Sequence, residues 1–173
     1  MMMQMLAESG IPALTDNIRK ADEDNPKGYY EFEPVKKTKQ DPSWLQTSAG
    51  TVVKMVHLLL LDLPTSGYKY RVVFMRRNIR EVVASQNVML ERLGKSTGDL
   101  GEQKLIDMFE SQITKVDTYI KNNSCFQVLH VNYNDILKNP APHVRAINEF
   151  LGGNLNTRAM LAVVDPTLYR NRR

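Results

Sequence analysis

The chain has 173 residues, 42% of them hydrophobic and 24% charged, with a formal net charge of +4 and a pI near 9.2. That is ordinary globular usage, rich enough in apolar residues to bury a core, and it excludes disorder as the main state. A lone cysteine, Cys125, excludes an intramolecular disulfide; with no secretory n-region or h-region in the sequence, the expected setting is a reducing cytoplasm.

Residues 1–8 read as a helix closed by Gly10, and 12–30 as largely irregular, with Asn25-Pro26-Lys27-Gly28 a turn signal. Residues 51–56 read as a strand. The apolar run 55–61, interrupted by His57, falls far short of the ~20 residues that span a bilayer, so no membrane span is expected. Residues 70–75 read as a second strand that ends on Arg76-Arg77. Beyond it Ile79, Val82, Val83, Gln86, Met89, Leu90 and Leu93 recur at helical spacing, so the period switches near Asn78 and predicts a helix over 79–93 ended by Gly94. A polar loop, 95–101, leads to a long amphipathic helix over 102–122, marked by Leu105, Met108, Phe109, Ile113, Val116 and Ile120. A third strand is expected over 126–131, and a helix over 142–151 capped by Gly152-Gly153. Strands alternating with helices argue for an α/β fold with a parallel sheet. No repeat and no long interior linker divides the chain, so one domain over 1–173 is expected.

The strand-to-helix turn at Arg76-Arg77 has the chemistry of an anion site. Open α/β sheets bind ligands beyond the carboxyl ends of their strands. Ser85 lies seven residues past Asn78, about two helical turns, so its hydroxyl lies on the same helix side as the turn and can share one anion with Arg77. Guanidinium offers a fork of donors matched to phosphate oxygens, and the hydroxyl adds one more. Basic residues also gather at 36–39 and 170–173. A nucleic-acid partner is not expected, because no broad basic face interleaves with aromatics. Nor is a metal, since His130 and His143 lack ligand spacing to cysteines or carboxylates.

Arg77-Asn78-Ile79-Arg80-Glu81-Val82-Val83-Ala84-Ser85 resembles the 3′-phosphate motif of the sulfotransferase family, whose members take a sulfuryl group from 3′-phosphoadenosine 5′-phosphosulfate (PAPS). Val52-Val53-Lys54-Met55-Val56-His57, followed by Leu63-Pro64, is similar to the family's preceding strand. Tyr133-Asn134-Asp135-Ile136-Leu137-Lys138-Asn139-Pro140 and Ile147-Asn148-Glu149-Phe150-Leu151-Gly152 resemble its later strand exit and helix. The ordered set, rather than any single match, carries the resemblance over most of the chain. It implies a three-layer, P-loop-containing α/β fold, with PAPS as cosubstrate and an unidentified acceptor hydroxyl or amine on a small molecule or other substrate.

The resemblance assigns the 3′-phosphate to Arg77 and Ser85, with Arg76 beside them, and places Arg170 of the basic tail near the same group. Lys54 resembles the lysine that steadies the leaving phosphate. For the base that removes the acceptor's proton three residues compete. His57 lies near the position of the family histidine but one residue farther from the lysine. Glu31 and Glu33 follow a Gly28 turn that can aim a carboxylate into a cleft, and they are the favoured pair. The family also carries, between its first strand and first helix, a Gly-, Ser- and Thr-containing loop that cradles the 5′-phosphosulfate. Neither element precedes the helix at Met1, so the chain reads as N-terminally truncated. The expectations are lost or doubtful transfer, unpaired edges inside the sheet, and dimerisation or strand exchange to cover them. The alternative is a non-catalytic relative that serves as a nucleotide-binding or interaction module.

Overall fold

The computed structural model describes residues 1–16, 18–19, 21, 28–92, 94 and 101–165. The expectations for Asn25 to Lys27, Leu93, 95–100 and Arg170 lie outside them.

Two strands, β1 (Tyr70–Arg76) and β2 (Phe126–Asn132), pair in parallel, in register from Tyr70 with Phe126 to Arg76 with Asn132. Between them in sequence run α2 (Ile79–Arg92) and α3 (Glu102–Asn122). Side chains alternate across a strand, and here the two faces feed different cores. Tyr70, Val72, Phe74, Phe126 and Val128 pack with Val116 and Ile120 of α3 and with Trp44, Leu45, Leu60 and Leu63. Val73, Met75, Leu129 and Val131 pack on the other face, against α1 (Met2–Glu8), α4 (Tyr133–Lys138), α5 (Pro140–Leu151) and α6 (Thr157–Val163). Met5, Ile136, Ile147 and Met160 are fully buried there. Short 3-10 helices at Glu33–Lys37, Ser43–Thr47 and His57–Asp62 complete the first core. In it the indole N–H of Trp44 is satisfied by the buried hydroxyl of Thr38 at 3.1 Å.

Local chemistry sets the boundaries. Asn132 accepts from the backbone N–H groups of Asn134 (2.8 Å) and Asp135 (3.2 Å) and so starts α4 directly at the end of β2. Proline at its first position lets α5 begin at Pro140, two residues before the expected start. Its end is fixed by Gly152, whose φ of 118° suits only glycine.

One expectation is corrected. Residues 51–56 form no full strand: only Val52 pairs, in an isolated parallel bridge to Ala13 closed by Leu14 N–H to Val52 O and Val52 N–H to Pro12 O, each 2.9 Å. The apolar run after it coils into the 3-10 helix instead. β1 and β2 pair directly. In their ladder the N–H of Tyr70 bonds Cys125 O at 2.8 Å, which by strand alternation turns the backbone groups of Arg71, Val73 and Met75 to the opposite edge. Among the described residues no strand pairs with that edge.

Candidate functional site

A cavity of about 1970 Å³ lies beside this edge. Its walls include the segment Val52 to His57, the length of β1, the start of α2 and the apolar face of α3. Lys54, His57, Arg76, Arg77 and Arg80 all line it, so one wall is cationic, while the α3 wall mixes apolar Ile106, Phe109 and Ile113 with Gln103, Glu110 and Thr114. A pocket with an apolar body and a few convergent polar groups is the usual form of a small-molecule site.

The two arginines at the end of β1 diverge. Arg76 reaches α3, where Nη2 donates to both oxygens of Asp117, while Nε donates to His130 Nδ1 at 3.2 Å and the guanidinium lies over Phe74 at 4.3 Å. These contacts tie the strand pair to the long helix. Arg77 turns toward α2 and α4. Its Nε donates to Glu81 Oε2 at 3.0 Å, and its guanidinium stacks on the Tyr133 ring at 4.9 Å. Glu81 is 1% exposed, and its other oxygen accepts from Asn134 Nδ2 at 3.1 Å. Ser85 is half-buried one further turn along α2 and is not among the cavity-lining residues. Asn78 Oδ1 accepts from Arg80 N–H at 3.0 Å and so shapes the turn itself.

The residues expected on the acceptor side divide. Lys54 donates to the carbonyl of Tyr29 at 2.9 Å, with its ammonium 5.8 Å from that ring. The same ring carries the Arg19 guanidinium at 3.4 Å, and Arg19 pairs with Glu31 at 3.3 Å. Desolvation holds the Lys54 ammonium below its ordinary pKa, opposed by the Glu31 charge and helped by Arg19. Glu33 is turned to Lys36, with which it pairs, and neither glutamate lines the cavity. The backbone of this segment is held by Asp16, whose carboxylate accepts from the N–H groups of Glu33 (2.6 Å) and Ile18 (3.0 Å) and is thereby kept below the usual carboxylate range. Tyr30 has a φ of 52°, the one positive value on a non-glycine residue among those described. His57 Nε2 is buried without a hydrogen-bond partner among the described residues, in a side chain that lines the cavity.

Spacing alone pointed to Arg77 but not to what surrounds it. Glu81 was legible as an i,i+4 partner of Arg77; Tyr133 and Asn134 were not, because they arrive from the far end of β2.

His130 gives a pH prediction. Partial desolvation pushes its imidazole below the ordinary 6.5, with Arg76 adding to the effect and Asp117 opposing it. The unfolded chain therefore takes up this proton at higher pH than the folded one. Its contribution to stability is full above about pH 6.5 and is lost as pH falls through the folded value. Denaturant midpoints measured from pH 7.5 down to 5 should fall less steeply in His130→Phe, which keeps an aromatic ring against Phe74, than in the unmutated chain.

A parallel strand pair with flanking helices and cations gathered at a strand-to-helix turn defines an α/β protein. Residues 16–173 match the sulfotransferase domain family, and the protein belongs to that family. Comparisons with curated proteins and with solved structures gave no match. No helix among the described residues is long and apolar enough to cross a membrane.

Proposed function

We propose that the chain binds PAPS and its product 3′-phosphoadenosine 5′-phosphate through the turn from Arg77 to Ser85, as a single three-layer, P-loop-type domain acting in the cytoplasm on a small-molecule acceptor. The observation that carries this reading is the convergence of Lys54, His57 and Arg77 on one cavity, three residues drawn from two separate sequence motifs. The donor set suits the ligand: a guanidinium and a hydroxyl for a phosphate, an ammonium for a leaving oxygen, and an apolar wall for a ring.

In this reading Arg77 and Ser85 anchor the 3′-phosphate and so fix the nucleotide along the cavity. Lys54, one of whose N–H groups is held by the Tyr29 carbonyl, presents its remaining N–H donors toward the charge that develops on the leaving phosphate as the sulfur–oxygen bond lengthens. His57 accepts the acceptor's proton at Nε2 as that oxygen or nitrogen bonds to sulfur. This choice departs from the glutamates favoured above, because Glu31 and Glu33 are ion-paired to Arg19 and Lys36 away from the cavity lining, whereas His57 is a cavity-lining residue whose buried Nε2 has no hydrogen-bond partner among the described residues.

Ser85→Ala tests the anchor without disturbing charge. It removes one neutral donor, worth about 0.5–1.5 kcal/mol, so calorimetric titration should show a roughly threefold to tenfold loss of affinity for 3′-phosphoadenosine 5′-phosphate and none for adenosine 5′-phosphate. Equal losses for both nucleotides, or no loss, would remove Ser85 from the site.

A further inference from the structure

A buried carboxylate beside an anion site calls for a reason, since its charge opposes the ligand. Glu81 is 1% exposed, lies one turn from Arg77 and one turn from Ser85 on α2, and sits at the meeting point of the two strand exits. It accepts Arg77 Nε on Oε2 and Asn134 Nδ2 on Oε1. Acidic side chains are almost never buried this fully unless paired, and here both oxygens are engaged.

We propose that Glu81 is a positioning residue, which holds the Arg77 guanidinium in the orientation that discriminates a 3′-phosphorylated nucleotide from its unphosphorylated counterpart. The inference rests on the nucleotide reading above and extends it. A guanidinium is planar, with donors in a fixed fork. A bond at Nε fixes one edge of that plane, and the face-on contact with Tyr133 at 4.9 Å fixes its tilt. Together they set the direction of the fork before ligand arrives, which lowers the ordering cost of binding. Asn134 steadies Glu81 in turn, so the orientation of Arg77 depends on α4 being docked at the end of β2.

The proposal has a sign that simple electrostatics does not share. If Glu81 acted only as a nearby negative charge, its neutralisation would raise phosphate affinity. If it orients Arg77, neutralisation lowers it. Glutamine is close in shape but has one acceptor oxygen, and cannot accept from Arg77 and Asn134 on separate oxygens as the carboxylate does.

The experiment is calorimetric titration of the full chain and of Glu81→Gln with 3′-phosphoadenosine 5′-phosphate and, in parallel, adenosine 5′-phosphate. The expected result is an approximately tenfold loss of affinity for the first nucleotide and an unchanged affinity for the second. Asn134→Ala, on the half-exposed side of the contact, should give a smaller loss of the same selectivity, and it decides the matter if Glu81→Gln does not fold. Retained or increased preference for the 3′-phosphorylated nucleotide in folded variants would overturn the positioning role while leaving the nucleotide reading intact. Absence of any preference in the unmutated chain would overturn the nucleotide reading itself, and the positioning role with it.

Discussion

Replacing Arg77 with alanine is expected to cost the fold roughly 3 kcal/mol, quite apart from any effect on ligand binding. The reason is Glu81. Removing one partner of a buried ion pair costs about 3–5 kcal/mol because the other is left charged and desolvated. Glu81 is 1% exposed, but Arg77 keeps 24% of its side chain in solvent, which argues for the lower end of that range. Asn134 remains bonded to Glu81 in the variant and is a neutral donor, so it cannot replace the lost cation. In a protein of this size the loss should appear as a fall of roughly 6–12 °C in Tm. Adding Glu81→Gln to Arg77→Ala should recover part of it, because the carboxylate charge is then removed together with its cation. A fall below about 1 kcal/mol in urea titration, or a double variant less stable than Arg77→Ala alone, would show that the pair is not a buried one. Any loss of nucleotide affinity in Arg77→Ala should accordingly be read against a melting curve, and Arg77→Lys, which retains a cation but not the bidentate fork, is the gentler comparison.

The second large effect concerns His57. In an assay of sulfuryl transfer, His57→Ala is expected to lower kcat by about a hundredfold or more, within the 10²–10⁴ range of a positioned general base. Nucleotide affinity should be unchanged, because His57 belongs to the Val52 to His57 wall and not to the Arg77 turn. Glu31→Gln and Glu33→Gln should each change kcat by less than about fivefold. Glu31→Gln weakens a pair with Arg19 whose two side chains are 42% and 25% exposed, the kind of contact worth about 0–1 kcal/mol. The opposite pattern, with a glutamate variant inactive and His57→Ala near normal, would return the base to the 31–33 segment.

The turn that anchors this account was legible because it is local. Four apolar residues, a pair of arginines and a helical repeat beginning at Ile79 mark a strand followed by a helix whatever the rest of the chain does. The long helix over 102–122 and the strand from Phe126 were legible for the same reason. Residues 51–56 misled because a strand exists only through its partner, and Val52 alone finds one, at Ala13. The apolar residues after His57 were ambiguous for their own reason: a short continuous run carries no period, and here it forms a 3-10 helix. The short helix over 133–138 depends on the Asn132 side chain capping it, a signal easily mistaken for a strand exit and loop. Within the site, the spacing of Arg77 and Ser85 was readable. The Arg77–Glu81–Asn134 chain was not, because the last contact spans 53 residues and arises only when β2 delivers α4 beside α2.

The central claim is that the Arg77 turn recognises a 3′-phosphate, and it is tested most directly by titrating the unmutated chain with 3′-phosphoadenosine 5′-phosphate and with adenosine 5′-phosphate under identical salt. The two ligands differ only in that group. Charge-assisted hydrogen bonds to it are worth roughly 1.5–3 kcal/mol, so the account predicts that the 3′-phosphorylated nucleotide binds at least tenfold more tightly. Equal affinity for the two would contradict it.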